Sequence, residues 1–159
     1  MKILGYTYYQ GEHRLVMKCD SSLLNNRKPF FVPDRSNDVR VIPCTVVRIC
    51  RLGKDIQPKF ADRYYDAVAE GLDFMMADLM DKSTAEACAF DNSLCVGNWT
   101  DVSRCDLTQR EELSRAIADA SRVVTLRMGD LLYVDNRTEG RSVVREEIIE
   151  TDTLYCKIK

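Results

Sequence analysis

The sequence predicts an α+β domain dominated by strands, and three observations lead there. Short runs of β-branched and apolar residues recur between clusters of turn formers. Two segments break that pattern with apolar residues at helical spacing. No internal repeat, low-complexity tract or linker divides the 159 residues, so residues 1–159 read as one domain.

Met1–Tyr9 and Leu15–Lys18 read as paired strands with Gly11 in the turn. Asp20–Lys28 is loop-like, with turn formers at Asp20, Ser21, Asn25 and Asn26. Phe30–Val32 reads as a short strand stopped by Pro33, and a long strand then runs to Gly53. That long strand is interrupted at Ile42-Pro43-Cys44, where a proline, lacking an N–H for the ladder, belongs at an edge or a bulge. In KFADRYYDAVAEGLDF, Phe60, Tyr64, Ala67, Val68 and Leu72 fall at helical spacing, with Pro58 suited to the start and Gly71 to the end. A short helical turn is expected over Asp78–Lys82, and Thr84–Trp99 is irregular. Thr108 and Glu111 form a T-x-x-E capping box for a helix to Val124, whose face is Leu113, Ala116, Ile117, Ala120 and Val124. Leu131–Val134, Val143–Ile149 and Leu154–Ile158 read as closing strands. The fold class is α+β, mainly β, with two main helices.

A chain of this size buries about 70% of its unfolded surface and needs no metal or disulfide to fold. The contents of 45% hydrophobic and 30% charged residues are those of a globular protein rather than a disordered one. The net charge is −2 with no basic stripe, which argues against nucleic-acid binding. No apolar run approaches the roughly 18–20 residues that span a bilayer. The N-terminus has no h-region or cleavage site of a secretory signal. The seven cysteines form no C-x-x-C, so reduced thiols in a cytoplasmic protein are the expectation.

Four blocks in shared order resemble the fumarylacetoacetate hydrolase family: MKCDSSLL with KPFFVPD, VVRICRLGKDIQPKFADRYYDAVAEGLDF, AFDNS, and SRVVTLRMGDLL. The resemblance implies a β-roll or sandwich fold that pairs as a homodimer. It also implies a chemistry: carboxylates hold Mg²⁺ or a similar cation, which grips an acylpyruvate or 1,3-diketo acid as a Lewis acid while a histidine activates water for C–C hydrolysis. The family's Glu-x-Glu falls on Ile42 and Cys44, and its third metal ligand on Asp73. Its arginine position is Ala77, its glutamine Met80, its lysine Cys88, and its T-G-T-P motif is displaced by a stretch containing Asn136. His13, the sole histidine, lies near the catalytic segment with Glu12, but its spacing differs and the lid is shortened. Strands that the family carries near 99–108 are absent from the sequence pattern.

Isoleucine offers no ligand and a thiolate is a poor one for Mg²⁺. The expectation is a pseudoenzyme without a cofactor, kept for binding or for assembly as a homodimer or with an active relative. The alternative is a metal-dependent C–C hydrolase with a rebuilt Mg²⁺ or Mn²⁺ site, in which Asp73, Asp78 and Asp91 meet around the cation and Glu12 with His13 touches water. A third reading places Zn²⁺ on Cys44, Cys88 and Asp73; the commoner account is two buried thiols filling a collapsed cavity. Phe74, Met75, Met76 and Met80 then pack where a polar pocket was. Tyr6, Tyr8, Tyr9, Tyr64 and Tyr65 are packing or interface residues.

Overall fold

A computed structural model describes residues 1–159. The chain opens with a hairpin of β1 (Ile3–Tyr9) and β2 (Glu12–Lys18). Gln10 (φ 51°) and Gly11 (φ 81°) supply the two left-handed residues that a tight two-residue turn demands. β3 (Leu23–Asn25), β4 (Val39–Ile49) and β5 (Tyr65–Met76) follow, then α1 (Thr84–Cys88), β6 (Leu94–Val96), β7 (Thr100–Asp101), α2 (Arg110–Val123), β8 (Leu131–Asp135), β9 (Arg141–Ser142), β10 (Ile148–Glu150) and β11 (Tyr155–Lys157). A nine-stranded mixed sheet runs β2-β1-β8-β4-β5-β6-β3, with β7 on β5 and β9 on β4. β1 with β8 and β3 with β6 are parallel pairs. β10 and β11 form a separate hairpin.

The expected helix over 60–72 is not there. Residues 58–64 make a 3₁₀ segment and 65–76 a strand. β5 lies between β4 and β6, and ten of its twelve residues are buried. A strand covered on both faces loses the polar alternation that identifies it in a sequence. Gly71 is not a helix stop. A Cβ there would lie 2.7 Å from Val46 and 2.8 Å from the Cys44 Sγ, so glycine lets the neighbouring side chains close over the strand. The two α-helices are α2, near its expected place, and the short α1, whose Ser83 side chain caps Glu86 N at 3.3 Å.

α2 begins later than the capping box implies. Its N-cap is Gln109, without a side-chain cap bond. The Gln109 amide is drawn elsewhere, accepting from Thr45 Oγ1 at 2.7 Å and donating to Asn136 Oδ1 at 2.8 Å. Leu113, Ala116, Ile117 and Ala120 pack on Leu4, Val47, Leu132 and Val134, forming the core on one face of the sheet. The other face carries Ile3, Val46, Leu94, Leu131 and Tyr133 beside a second group around Ile42, Met75, Met80 and Cys88.

Smaller differences have local causes. Leu23–Asn25 is a strand inside the expected loop because it pairs with β6. Phe30 makes a single bridge to Ile158 rather than a strand. β4 stops at Ile49, short of Gly53. Pro43 sits inside β4 without breaking it. Its carbonyl accepts from Asn136 N at 3.0 Å, on the β8 side. A strand residue's N–H and C=O point the same way. The missing N–H therefore faces the carbonyl of Asn136, one residue past the end of β8, and that carbonyl accepts instead from Thr138 N at 2.7 Å. Proline stands at the frayed end of the β4–β8 ladder, where the bond it cannot make leaves no carbonyl unpaired.

Candidate functional site

Alternation along β4 and register with β5 bring the expected metal positions onto one face. Ile42 lies opposite Asp73, and Cys44 opposite Gly71. What meets Asp73 there is a residue the sequence reading did not single out, Lys18, at the end of β2. Its Nζ donates to Asp73 Oδ1 at 2.7 Å, and to the Ser93 carbonyl and Oγ at 3.1 Å each. The ammonium also lies 5.2 Å from the centroid of the Tyr133 ring, a cation–π distance. All three N–H donors of the lysine thus have acceptors.

The second Asp73 oxygen is also taken, accepting from Thr7 Oγ1 at 2.8 Å. Thr7 Oγ1 lies 2.9 Å from the Tyr133 hydroxyl. Since the threonine proton goes to the carboxylate, the phenol donates to threonine. Burial, then the charge of Asp73, pushes the Tyr133 phenol well up, which keeps its proton in place. Ser93 Oγ donates to the Cys88 carbonyl at 2.9 Å, tying the network to α1.

Asp135, at the end of β8, completes the group. Its Oδ2 accepts from Tyr8 N at 2.9 Å, while Oδ1 is buried without a partner. Burial and then the neighbouring Asp73 charge push this carboxyl well up, so it favours the neutral acid. Thr7, Asp73, Ser93, Tyr133 and Asp135 are fully buried and Lys18 is 1% exposed. A neutral acid beside one ammonium and one carboxylate leaves the enclosure without net charge, the condition under which buried charges are tolerated.

A divalent cation does not fit these residues. Both Asp73 oxygens are engaged, Ile42 faces it, and no group of three His, Cys, Asp or Glu side chains converges on a point. The Cys44 thiol is pushed well up by burial and then by Asp135 and Asp73. Cys88 is pushed up to about 12 by burial and then Asp73. A metal binds the thiolate, not the thiol. Cys88 Sγ instead contacts Met80 Sδ at 3.5 Å in the apolar packing.

The remaining expected residues lie apart from this network or at its rim. His13 Nε2 is 2.9 Å from the Asp135 carbonyl, an acceptor, so Nε2 carries the proton. The imidazole packs edge-on against Tyr8 and lines a cleft of about 210 Å³ with Tyr6, Glu112, Arg115 and Arg137. Glu12 is exposed and pairs with Arg14 at 3.4 Å. Asp78 is held below the usual carboxylate range by Ser36 and then Asn37 N, and fastens a loop. Asp91 is exposed in a turn, Ala77 is buried, and Asn136 bonds to Gln109 and Pro43. On the opposite face of the sheet, Thr45, Glu70, Asn98, Thr100 and Thr153 line a polar cleft of about 420 Å³.

Lys18 could have been found in the sequence. Val16 and Lys18 share one face of β2, and a lysine on a strand's inward face calls for a buried acid. In the sequence Lys18 falls both in the expected strand Leu15–Lys18 and in the MKCDSSLL block of the resemblance.

No family model matches the sequence, and no curated protein matches it. Solved structures do. The chain is similar to fumarylpyruvate hydrolase from Pseudomonas aeruginosa in complex with Mn²⁺ and pyruvate, at TM-score 0.82 and 17% identity over 99% of this chain and 88% of that one. It is similar to 5-carboxymethyl-2-hydroxymuconate delta-isomerase from Mycobacterium smegmatis, at TM-score 0.82 and 16% identity over 99% and 78%. A Yersinia pestis protein assigned to the fumarylacetoacetate hydrolase family matches at TM-score 0.83 and 19% identity over 99% and 91%. At these identities the likeness concerns architecture: the chain has the fumarylacetoacetate-hydrolase-like fold.

Proposed function

We propose that this chain is a non-catalytic relative of the fumarylacetoacetate hydrolases, its fold kept for binding or assembly. One observation carries the reading: the single acid retained at the expected metal positions has both oxygens engaged by Lys18 and Thr7, in an enclosure closed to solvent. Lewis-acid stabilisation of an enolate or diketo acid needs open coordination positions on a held metal, and this donor set supplies neither. His13, with its Nε2 proton committed to the Asp135 carbonyl, has no water-activating geometry toward Asp73. Homodimerisation, or pairing with an active relative, and a cytoplasmic setting belong to the same proposal. No helix is long and apolar enough to cross a membrane.

Asp135 beside Asp73 favours a second reading. Two neighbouring carboxylates are the start of a rebuilt metal site for a C–C hydrolase acting on acylpyruvates, if Lys18 swings out. Steady-state assays on acylpyruvates and 1,3-diketo acids with Mg²⁺ or Mn²⁺ separate the two. The non-catalytic reading expects no turnover above an Asp73→Ala control. Turnover that this substitution abolishes supports the hydrolase.

A further inference from the structure

We propose that the Lys18 ammonium is this site's resident cation, standing where the fold otherwise holds a divalent metal and closing the site against one. The inference builds on the metal-free reading above, but concerns what replaced the metal rather than whether turnover occurs.

The placement rests on register. Asp73 and Ile42 face one another on the inner side of the β4–β5 pair, with Cys44 two residues along on the same side. Into that space the β1–β2 hairpin sends one positive group, which takes an Asp73 oxygen at 2.7 Å. The rest of its coordination is made of hard oxygen donors, the Ser93 carbonyl and hydroxyl at 3.1 Å each. Three oxygens around one cation, with an aromatic face as the fourth wall, resemble a metal's shell more than a surface ion pair. The residues around it fit a single positive charge. Ile42 and Cys44 add no anionic ligand, and Asp135 stays neutral beside Asp73. A lysine also brings its charge covalently attached, so occupancy does not depend on metal supply.

The consequence is specific. Wild-type protein keeps its stability in chelator and gains none from Mn²⁺. Removing the ammonium leaves Asp73 buried and unpaired beside Asp135, a vacancy for a cation. The test is thermal unfolding of wild type, Lys18→Ala and Lys18→Ala/Asp73→Asn, each with EDTA and with millimolar MnCl₂. Lys18→Ala is expected to melt well below wild type and to regain about 3–5 °C with Mn²⁺ at ten times its Kd, a gain absent from the wild type and from the double variant. If Lys18→Ala does not fold, Lys18→Ser leaves the same space open without the charge and is read the same way. If neither lysine variant folds, wild-type Mn²⁺ titration decides: no Asp73-dependent stabilisation supports the inference. Mn²⁺ stabilising wild type through Asp73, or failing to stabilise a folded lysine variant beyond wild type, overturns it. Turnover is not the readout, so failure here is distinct from the discovery of hydrolase activity.

Discussion

Gly5 on β1 faces Tyr133 on β8 so closely that a Cβ at Gly5 would lie 1.9 Å from the Tyr133 ring. The glycine makes room for the ring, and the ring carries its hydroxyl to Thr7 and its face to Lys18. Backbone approach in one strand thus sets the position of a network spread over five segments. Gly5→Ala forces the ring aside in a close-packed core and is expected to destabilise by about 3 kcal/mol, lowering Tm by roughly 6–12 °C. Calorimetry checks this; an unchanged Tm would mean the ring is not confined.

The Lys18–Asp73 pair is buried on both sides. Removing one partner strands the other's charge, so Lys18→Met and Asp73→Leu should each cost about 3–5 kcal/mol. The double variant Lys18→Met/Asp73→Leu, apolar throughout, should lie well above either single variant. Urea unfolding of the four proteins yields the coupling energy. Additive losses would show that the two side chains do not act as a pair.

Asp135 gives a pH signature of its own. Its folded pKa is raised, by burial and by Asp73, so the folded state holds this proton more tightly than the unfolded chain does. The stabilisation is therefore complete below the unfolded value of about 3.9 and is lost as pH rises from there toward the raised folded value. Asp135→Asn keeps the neutral shape without the titration. It should match wild type near pH 4 and exceed it increasingly toward pH 7. Equal stability of the two proteins at every pH would contradict a neutral Asp135.

Thiol chemistry separates the two kinds of cysteine. Cys44 and Cys88 are buried, and their thiols are pushed up by burial; Cys19 is exposed. In native protein, a disulfide reagent should modify Cys19 rapidly and leave Cys44 and Cys88 untouched, all seven reacting in denaturant. Fast native labelling at Cys44, read by peptide mass spectrometry, would mean that the closed site opens.

Much of the fold was legible because its signals are local. The turn at Gly11, the apolar face of α2 and the strand after Gly129-Asp130 each declare themselves within a few residues. β5 was not legible, since burial of both faces erased its period and Gly71 imitated a helix stop. The site was half legible. Asp73, Ile42 and Cys44 share a face, and only the family resemblance, not their spacing, put them together. Lys18 was missed because its partner is 55 residues away in sequence, and no local pattern pairs a strand-end lysine with a particular acid. Asp135 was hidden because it directly precedes Asn136, in the stretch that displaces the T-G-T-P motif of the resemblance, although its strand position beside Cys44 places it at the network.

The central claim is that the cation position beside Asp73 is already filled by Lys18. Titrating Mn²⁺ with wild-type protein and following the free-ion EPR signal tests it most directly. The expected result is no loss of signal that depends on Asp73, up to saturating protein. Stoichiometric loss of signal in wild type that disappears in Asp73→Asn would contradict the account.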